Sequence, residues 1–479
     1  MIDIRKVSEN IYEIPVEGGM KVPVRVYASE KLLEKMKEDK SLVQAKNVAM
    51  LPGVKKWVAV MPDGHEGYGF PVGGVAAFDL KEGIISPGGI GYDINCGVRI
   101  IRTNLNYEEI KPKLKQLVDT IFRNVPAGVG ETGHIKLSIG QFKDAVEEGL
   151  DWAYREGYAW KDDLESIESY GRLENANLED VSDRAIRRGI EQFGTLGSGN
   201  HFLEIQVVEK IFDYELAKFF GIESEGQVTV MVHTGSRGFG HQIATDYIDY
   251  FMSRFRNVVK TLPDRELIYA PFESEEGQKY WRAMACAANF AWVNRQIITY
   301  WIRKSFEKVF NVSSEDIGLN LIYDVAHNIA KVETHKVNGG REKVIVHRKG
   351  ATRAFPRNHE DLPEKYRSIG QPVLIPGSMG TASYILIGEQ GSMDLSFGSS
   401  AHGSGRMMSR AAAKRSYRYE DVIRKMSERG IIVKSTTKEG VVEEVPEAYK
   451  DVDEVVKVTH SLGLSRMVVK LRPVVVIKG

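Results

Sequence analysis

Cysteine is scarce in this chain, with two in 479 residues. That excludes a disulfide framework. In a reducing compartment it leaves a thiol among polar groups as a metal ligand or a nucleophile. No apolar run approaches the roughly 20 residues of a membrane span. The N-terminal "MIDIRKVSENIYEI" has no apolar signal core, so the chain reads as cytoplasmic. Net charge is absent too, since 65 Lys and Arg balance 65 Asp and Glu. That argues against a general coat for polyanions, although a local basic patch remains open. There is no CxxC, no HExxH, no internal repeat and no low-complexity tract. "GSGNHF" and "HTGSRGFG" fail the G-x-G-x-x-G fingerprint in a strand-to-helix setting, which rejects a Rossmann nucleotide site.

What remains is the composition of a globular protein, 42% hydrophobic and 27% charged. Strand patterns occupy the first hundred residues: "KVPVRVYAS", "WVAVMPD", "GVAAFDL" and "VRIIRTNL". Helical patterns follow, beginning at an Asn106 cap, then "SIGQFKDAVEEGLDWAYREG" and "LEDVSDRAIRRGIEQFG". Two strands, "NHFLEIQVVE" and "GQVTVMVHTG", lead to a helix from about His241 to Lys260. A long one from a Ser274 cap to Phe310 comes next, either widely buried or kinked. Strands return in "GLNLIYDVAHN", "EKVIVHRKG", "QPVLIPG", "ASYILIGE" and "DLSFGSSAH". Two helices and a terminal strand "SRMVVKLRPVVVIKG" complete the pattern. Strands and helices cluster instead of alternating. This predicts an α+β fold: one large domain, residues 1–479, with a mainly antiparallel sheet core assembled from distant segments and surrounded by helices.

Glycine is concentrated around chemistry-bearing residues. Six segments show it: "MPDGHEGYGFPVGG", "SPGGIGYDINCG", "TLGSGNHF", "HTGSRGFGH", "IPGSMGTAS" and "SFGSSAHGSGR". One such segment is ordinarily a turn. Six, most carrying His, Asp, Cys or Asn, point to one large site lined by loops. His201, His233 and His327 each sit at the end of a strand-like run, a rigid mount at a loop mouth. With Asp93 and Cys96 they form a plausible ligand set of thiolate, imidazole and carboxylate, chemistry that admits Zn²⁺ as readily as Mn²⁺ or Mg²⁺. Cys286, in "MACAANFAW", reads as core packing. His402 stands apart among small residues and suits a nucleophile on phosphorus, with Asp63 as the group orienting its second nitrogen; the alternative is a further metal ligand. Basic runs such as "GSGRMMSRAAAKRSYR" are usually solvated faces, but "HRKGATRAFPRNH", His347 to His359, mixes Arg, Lys and Gly with an aromatic and suits phosphate contacts with little base reading.

Together "PDGHEGYGFPVGG", "GGIGYDINCGVR", "GSGNHFLEIQ", "HTGSRGFGHQ", "DVAHN", "HRKGATRAFP", "IPGSMGTASY" and "SSAHGSGRMMSR" resemble the RtcB family of RNA-splicing ligases, from about residue 60 to the C-terminus. The resemblance implies a GTP-dependent ligase with two Mn²⁺ ions. It would join 2′,3′-cyclic phosphate or 3′-phosphate RNA ends to 5′-hydroxyl ends through a histidine–GMP intermediate. It implies that Cys96 bridges the ions, with His233 and His327 completing one site and Asp93 and His201 the other. His402 would carry GMP and Asp63 would orient it. Asn200, Phe202, Glu204, Ser378, Met379, Ser383, Gly403, Tyr449 and Lys478 would hold the guanine nucleotide, and Arg188, Lys349 and Arg410 the RNA phosphates. tRNA exon halves and broken RNA ends are the expected partners, with archease as activator.

Two other readings compete. A dinuclear phosphatase or cyclic phosphodiesterase would use the same ligands with water as nucleophile. A non-catalytic RNA-binding subunit would not need Cys96.

Overall fold

The computed structural model describes residues 2–479. Two large sheets carry the fold. The first runs, in spatial order, through Arg5–Ser8, Ile11–Ile14, Val24–Tyr27, Val58–His65, Val72–Asp79, Gly340–Lys349 and Asn328–Val337. The second runs through Leu321–Ala326, Gly97–Asn106, Gln227–Thr234, Phe202–Ile211, Ser465–Lys478, Ser383–Gly388 and Pro372–Ile375, with Ile432–Ser435 beside the C-terminal strand. Pairing is antiparallel except for Val24–Tyr27 on Val58–His65 and Ile432–Ser435 on Ser465–Lys478. The α+β, mainly antiparallel architecture is as expected. The distant segments build that core as two large sheets, with two further two-stranded pairs beside them.

The second sheet is buried on both faces. Along Gln227–Thr234, Val228, Val230 and Val232 enter the main core. Met231 points the other way into a second cluster with Val98, Ile322 and Val469. This is the two-residue period of a strand, and it puts His233 on the Met231 face. The main core also takes in Val75 and Val346 of the first sheet and Val475 of the second.

Helix boundaries follow local chemistry. Ser274 caps Glu275–Phe310 by accepting from Gly277 N at 3.0 Å. That helix runs unbroken for 36 residues and is buried over most of its length. Ser138 and Gln141 form a reciprocal capping box. The helical stretch they open is broken at Gly149, whose φ of 59° only glycine adopts cheaply, into Ile139–Glu148 and Leu150–Arg155. The helix expected from His241 to Lys260 begins at Arg237 and is interrupted at Phe255.

Three expectations fail. The first hundred residues hold two helices, Glu30–Lys37 and Ser41–Val48, too short to show a clear period. Four helices, not two, lie between His402 and the last strand: Arg410–Ser416, Tyr419–Glu428, Lys438–Glu443 and Val452–Ser461. "DLSFGSSAH" is half helix: Gln390–Ser396 ends at Phe397, whose φ is 51°, before the strand Ser399–Ala401. Among the described residues no helix is long and apolar enough to cross a membrane.

Candidate functional site

Four neighbouring strands of the second sheet end at one edge. In spatial order they are Leu321–Ala326, Gly97–Asn106, Gln227–Thr234 and Phe202–Ile211. Ala326 pairs with Gly97, Gly97 with Thr234, and His233 with both Val98 and Phe202. The residue after Ala326 is His327, the one before Gly97 is Cys96, and the one before Phe202 is His201. Antiparallel pairing therefore collects an exit, an entry, an exit and an entry of the chain along one rim. Strands lie about 4.8 Å apart, so the four side chains meet.

They meet as two trios sharing one thiol. Donor atoms of Cys96, His233 and His327 lie within 4.8 Å of one another, as do those of Asp93, Cys96 and His201. Cys96 Sγ is 3.2 Å from His233 Nε2 and 3.5 Å from His201 Nε2. His233 Nε2 is 3.3 Å from His327 Nε2. His201 Nε2 is 2.8 Å from Asp93 Oδ2. Burial and neighbouring rings hold His233 and His327 well below the usual imidazole range, and burial lowers His201 despite Asp93. Burial pushes Asp93 up, but His201 and Arg237 outweigh it and hold the carboxyl well below its ordinary range. Burial and Asp93 raise the Cys96 thiol, an order that a bound divalent cation reverses by taking the thiolate. Neutral imidazoles, a thiol and an ionised carboxylate aiming lone pairs at common points are the form that receives cations, so the residues fit two metal ions.

His201 Nδ1 lies 3.1 Å from Leu196 O and 3.2 Å from Arg237 Nη1. A proton on Nδ1 serves the carbonyl and leaves the Nε2 lone pair free for a cation shared with the Asp93 carboxylate. His327 Nδ1 is buried without a protein partner.

The turn between Asp93 and Cys96 is held from behind. Cys96 N donates to Asp93 O at 2.9 Å, and Asn95 takes the left-handed conformation at φ 50°. Asn95, more than the surrounding glycines, makes the bend that brings both side chains to one cavity. Gly235 has a direct steric role: a Cβ there would collide with the Asp93 carboxylate. The long helix supplies Arg295, which is fully buried. It donates to Asn95 O at 2.9 Å, Thr234 O at 2.8 Å and both oxygens of Asp324 at 2.8 Å. One guanidinium thus braces the strand ends leading to Cys96, His233 and His327. Sequence reading missed it; the only signal was the polar run "NRQ", Asn294 to Gln296, inside an apolar helix.

His402 stands next to this cluster, its ring 4.8 Å from that of His327. His402 Nδ1 lies 2.5 Å from Asp63 Oδ2. The same oxygen accepts from the backbone N–H groups of His402 at 3.0 Å and Gly403 at 3.2 Å. Asp63 is fully buried. Burial pushes its carboxyl up, and the His402 contacts more than cancel this, leaving it below its ordinary value.

A cavity of about 320 Å³ opens over these groups. Asp93, Cys96, His233, His327 and His402 line it, as do Asn200, Phe202, Ser378, Met379, Gly403, Tyr449 and Lys478. Glu204 and Ser383 lie behind that wall, tied by Gln206 Nε2, which donates to Glu204 Oε2 at 2.7 Å and Ser383 Oγ at 3.1 Å. Glu204 pairs with Met231 and with Val476. By alternation it shares a sheet face with Phe202, His233 and Lys478. Burial lifts the Glu204 carboxyl to about 8. Tyr449 donates its hydroxyl to Glu444, accepts from Arg406 Nη1 at 2.9 Å, and lies under the Arg406 guanidinium. Glu444, Arg406 and His65 also line the cavity and were not singled out from the sequence.

The three basic candidates differ. Arg410 is half exposed on the cavity wall, 3.4 Å from Glu444. Lys349 is buried in the wall, with its ammonium on Tyr68 O at 2.5 Å and Gly88 O at 3.1 Å, which leaves one donor for a ligand. Arg188 lies outside the lining and donates to Gln242 Oε1 at 3.0 Å.

Fold and site together define a candidate dinuclear metal centre beside a carboxylate-held imidazole, in an α+β protein. A sequence model of the family described as tRNA-splicing ligase RtcB matches residues 44–479. The chain is 60% identical over 478 residues to the tRNA-splicing ligase RtcB of Nanoarchaeum equitans, covering 100% of both chains. Proteins of the same description from Thermococcus kodakarensis and Pyrobaculum aerophilum are 56% and 57% identical, each over 100% of this chain and 99% of theirs. This chain belongs to the RtcB family.

Proposed function

We propose that this chain is a GTP- and Mn²⁺-dependent RNA ligase, acting in tRNA splicing and RNA repair. It joins RNA ends bearing a 2′,3′-cyclic phosphate or 3′-phosphate to ends bearing a 5′-hydroxyl. The observation that carries this reading is the carboxylate-held His402 beside two donor trios that share Cys96. With Nδ1 2.5 Å from Asp63 Oδ2, the other ring nitrogen of His402 is the nucleophile. It attacks the α-phosphorus of GTP and pyrophosphate departs, leaving GMP on the ring. Where the RNA end is a 2′,3′-cyclic phosphate, water first attacks its phosphorus and the 2′-oxygen leaves as a hydroxyl; the resulting RNA 3′-phosphate then takes GMP from His402. Finally the 5′-hydroxyl attacks the RNA phosphorus, GMP leaves, and a phosphodiester forms. Asp63 stabilises the positive ring that the first transfer creates and the second discharges.

Cys96, His233 and His327 would hold one Mn²⁺, and Asp93, Cys96 and His201 the other. Bound there, the ions supply positive charge against the converging phosphates. Glu204, Ser378, Ser383, Tyr449 and Lys478, with Asn200, Phe202, Met379 and Gly403, would form the guanine nucleotide site. Arg188, Lys349 and Arg410 would take RNA phosphates. We place the enzyme in the cytoplasm, as one catalytic unit over residues 1–479, with archease as its activator. A hydrolase built on the same trios would leave the Asp63–His402 pair without a role.

The test is intact-protein mass spectrometry after incubation with GTP and Mn²⁺, followed by peptide mapping. The expected result is one GMP on the peptide containing His402. No adduct with metal bound, even with archease added, would overturn the ligase reading in favour of a hydrolase.

A further inference from the structure

Three aromatic rings lie beside Asp93 and take no part in the guanine site proposed above. Tyr92 directly precedes Asp93. Its ring stacks on His241, with centroids 4.8 Å apart and planes 27° apart. Tyr68 meets Tyr92 edge-on at 5.3 Å. Tyr92 is half-buried in the cavity wall, and His241 is exposed on the helix Arg237–Arg254. Cations flank the stack. Arg188 is bonded to Gln242, the residue after His241, and the Lys349 ammonium is bonded to the Tyr68 carbonyl.

An aromatic stack gains most from full burial, yet this one ends at a cavity surface. Partly exposed rings with basic side chains anchored on neighbouring groups are an arrangement that receives a nucleobase face and its phosphate. The proposed guanine contacts on strands come from Phe202–Ile211, Ser383–Gly388 and Ser465–Lys478. The Tyr68, Tyr92 and His241 group comes from the loops after Val58–His65 and before Gly97–Asn106, and from the helix Arg237–Arg254. The two surfaces therefore address different bases. Tyr92 is the chain neighbour of Asp93, a member of the Asp93, Cys96, His201 trio, so a nucleotide seated on it presents its terminal oxygen or phosphate to the reacting centre.

We infer that Tyr92, backed by His241 and Tyr68, is the stacking platform for the terminal nucleobase of an RNA end being joined. The inference rests on the RNA ligase reading and adds to it a site for one substrate base.

The test is a coupling measurement on the full-length enzyme loaded with Mn²⁺. Binding is measured for short RNAs ending in a 3′-phosphate or a 5′-hydroxyl, each with an intact or an abasic terminal nucleotide. In the wild type, removing the base at the end that uses the platform weakens binding roughly 5- to 100-fold. In Tyr92→Leu the intact RNA binds as weakly as the abasic one, and base removal has no further effect. The two series identify which end is seated. Equal losses in wild type and variant, or no loss at either end in the wild type, overturn the inference. Because Tyr92 adjoins Asp93, bound metal is counted in the variant. If metal is lost, His241→Ala, which strips support from one face of the Tyr92 ring, carries the same comparison. Wild-type ligation without coupling rejects the platform alone, whereas absence of both the GMP adduct and ligation rejects the ligase reading.

Discussion

His402 Nδ1 and Asp63 Oδ2 lie 2.5 Å apart although 339 residues separate them in the chain. The carboxylate is fully buried, and the backbone N–H groups of His402 and Gly403 also hold it. Its direction is therefore set before any substrate binds. This suits a group that stabilises a transient positive ring without moving.

Asp63→Asn keeps the shape and removes the charge. GMP transfer to His402 is expected to slow by on the order of 10²- to 10⁴-fold, with metal content near normal. His402→Ala is expected to abolish the adduct, also with metal retained. Quench-flow with labelled GTP and metal analysis read both; loss of metal from His402→Ala would make His402 a ligand.

The shared thiol predicts unequal metal losses. Cys96→Ala belongs to both trios and is expected to lose both ions, while His201→Ala and His327→Ala each lose one. Metal analysis of purified, Mn²⁺-equilibrated proteins gives the stoichiometry. Two ions retained in Cys96→Ala would remove the bridging role.

Arg295→Met leaves Asp324 with one buried guanidinium, Arg99, and frees the Asn95 and Thr234 carbonyls. Breaking a buried ion pair on one side costs about 3–5 kcal/mol. A large fall in the denaturation midpoint is expected, together with weaker metal binding, because the brace spans three ligand-bearing strand ends. An unchanged midpoint would show that Arg295 braces nothing.

Glu204 predicts a pH dependence. Folded, burial lifts its carboxyl from 4.5 to about 8, against the hydrogen bond from Gln206 and the charge of Lys478. Across that window the folded state binds more protons than the unfolded one, so stability falls as pH rises from about 4.5 to about 8. Glu204→Gln removes the titration. Its advantage over wild type is expected to grow through the window, reach the order of a few kcal/mol, and level off above it. Melting curves from pH 4 to 9 measure this, and parallel wild-type and variant profiles would contradict it.

Lys478→Ala is expected to weaken GTP binding, since the buried ammonium lines the cavity on the sheet face shared with Glu204. Calorimetric titration measures it, and an unchanged affinity rejects the role.

Much of this was legible in the sequence because it is local. Ser274 and Asn106 were readable as caps from polar side chains ahead of apolar periods. Strand runs such as "VTVMVH" were readable from β-branched residues, and His201, His233 and His327 stood out at the ends of such runs. The division into two sheets was not legible, because strand pairing depends on contacts between segments hundreds of residues apart. Nor was Arg295, because a buried guanidinium in a helix looks like any surface arginine until its partners are known. Asn95 was hidden for another reason: the bend was credited to the neighbouring glycines, and an asparagine in the left-handed region takes it instead.

The sequence by itself determined the chemical inventory: one thiol, three strand-end imidazoles and an aspartate beside glycines, with a separate His402 and a distant Asp63. Residue type sets donor atoms and protonation, and these are local properties. Only the tertiary structure decided that four antiparallel strand ends lie side by side, so that Cys96 belongs to two trios and Asp63 reaches His402. Burial then decided which groups are charged, because desolvation depends on everything packed around them.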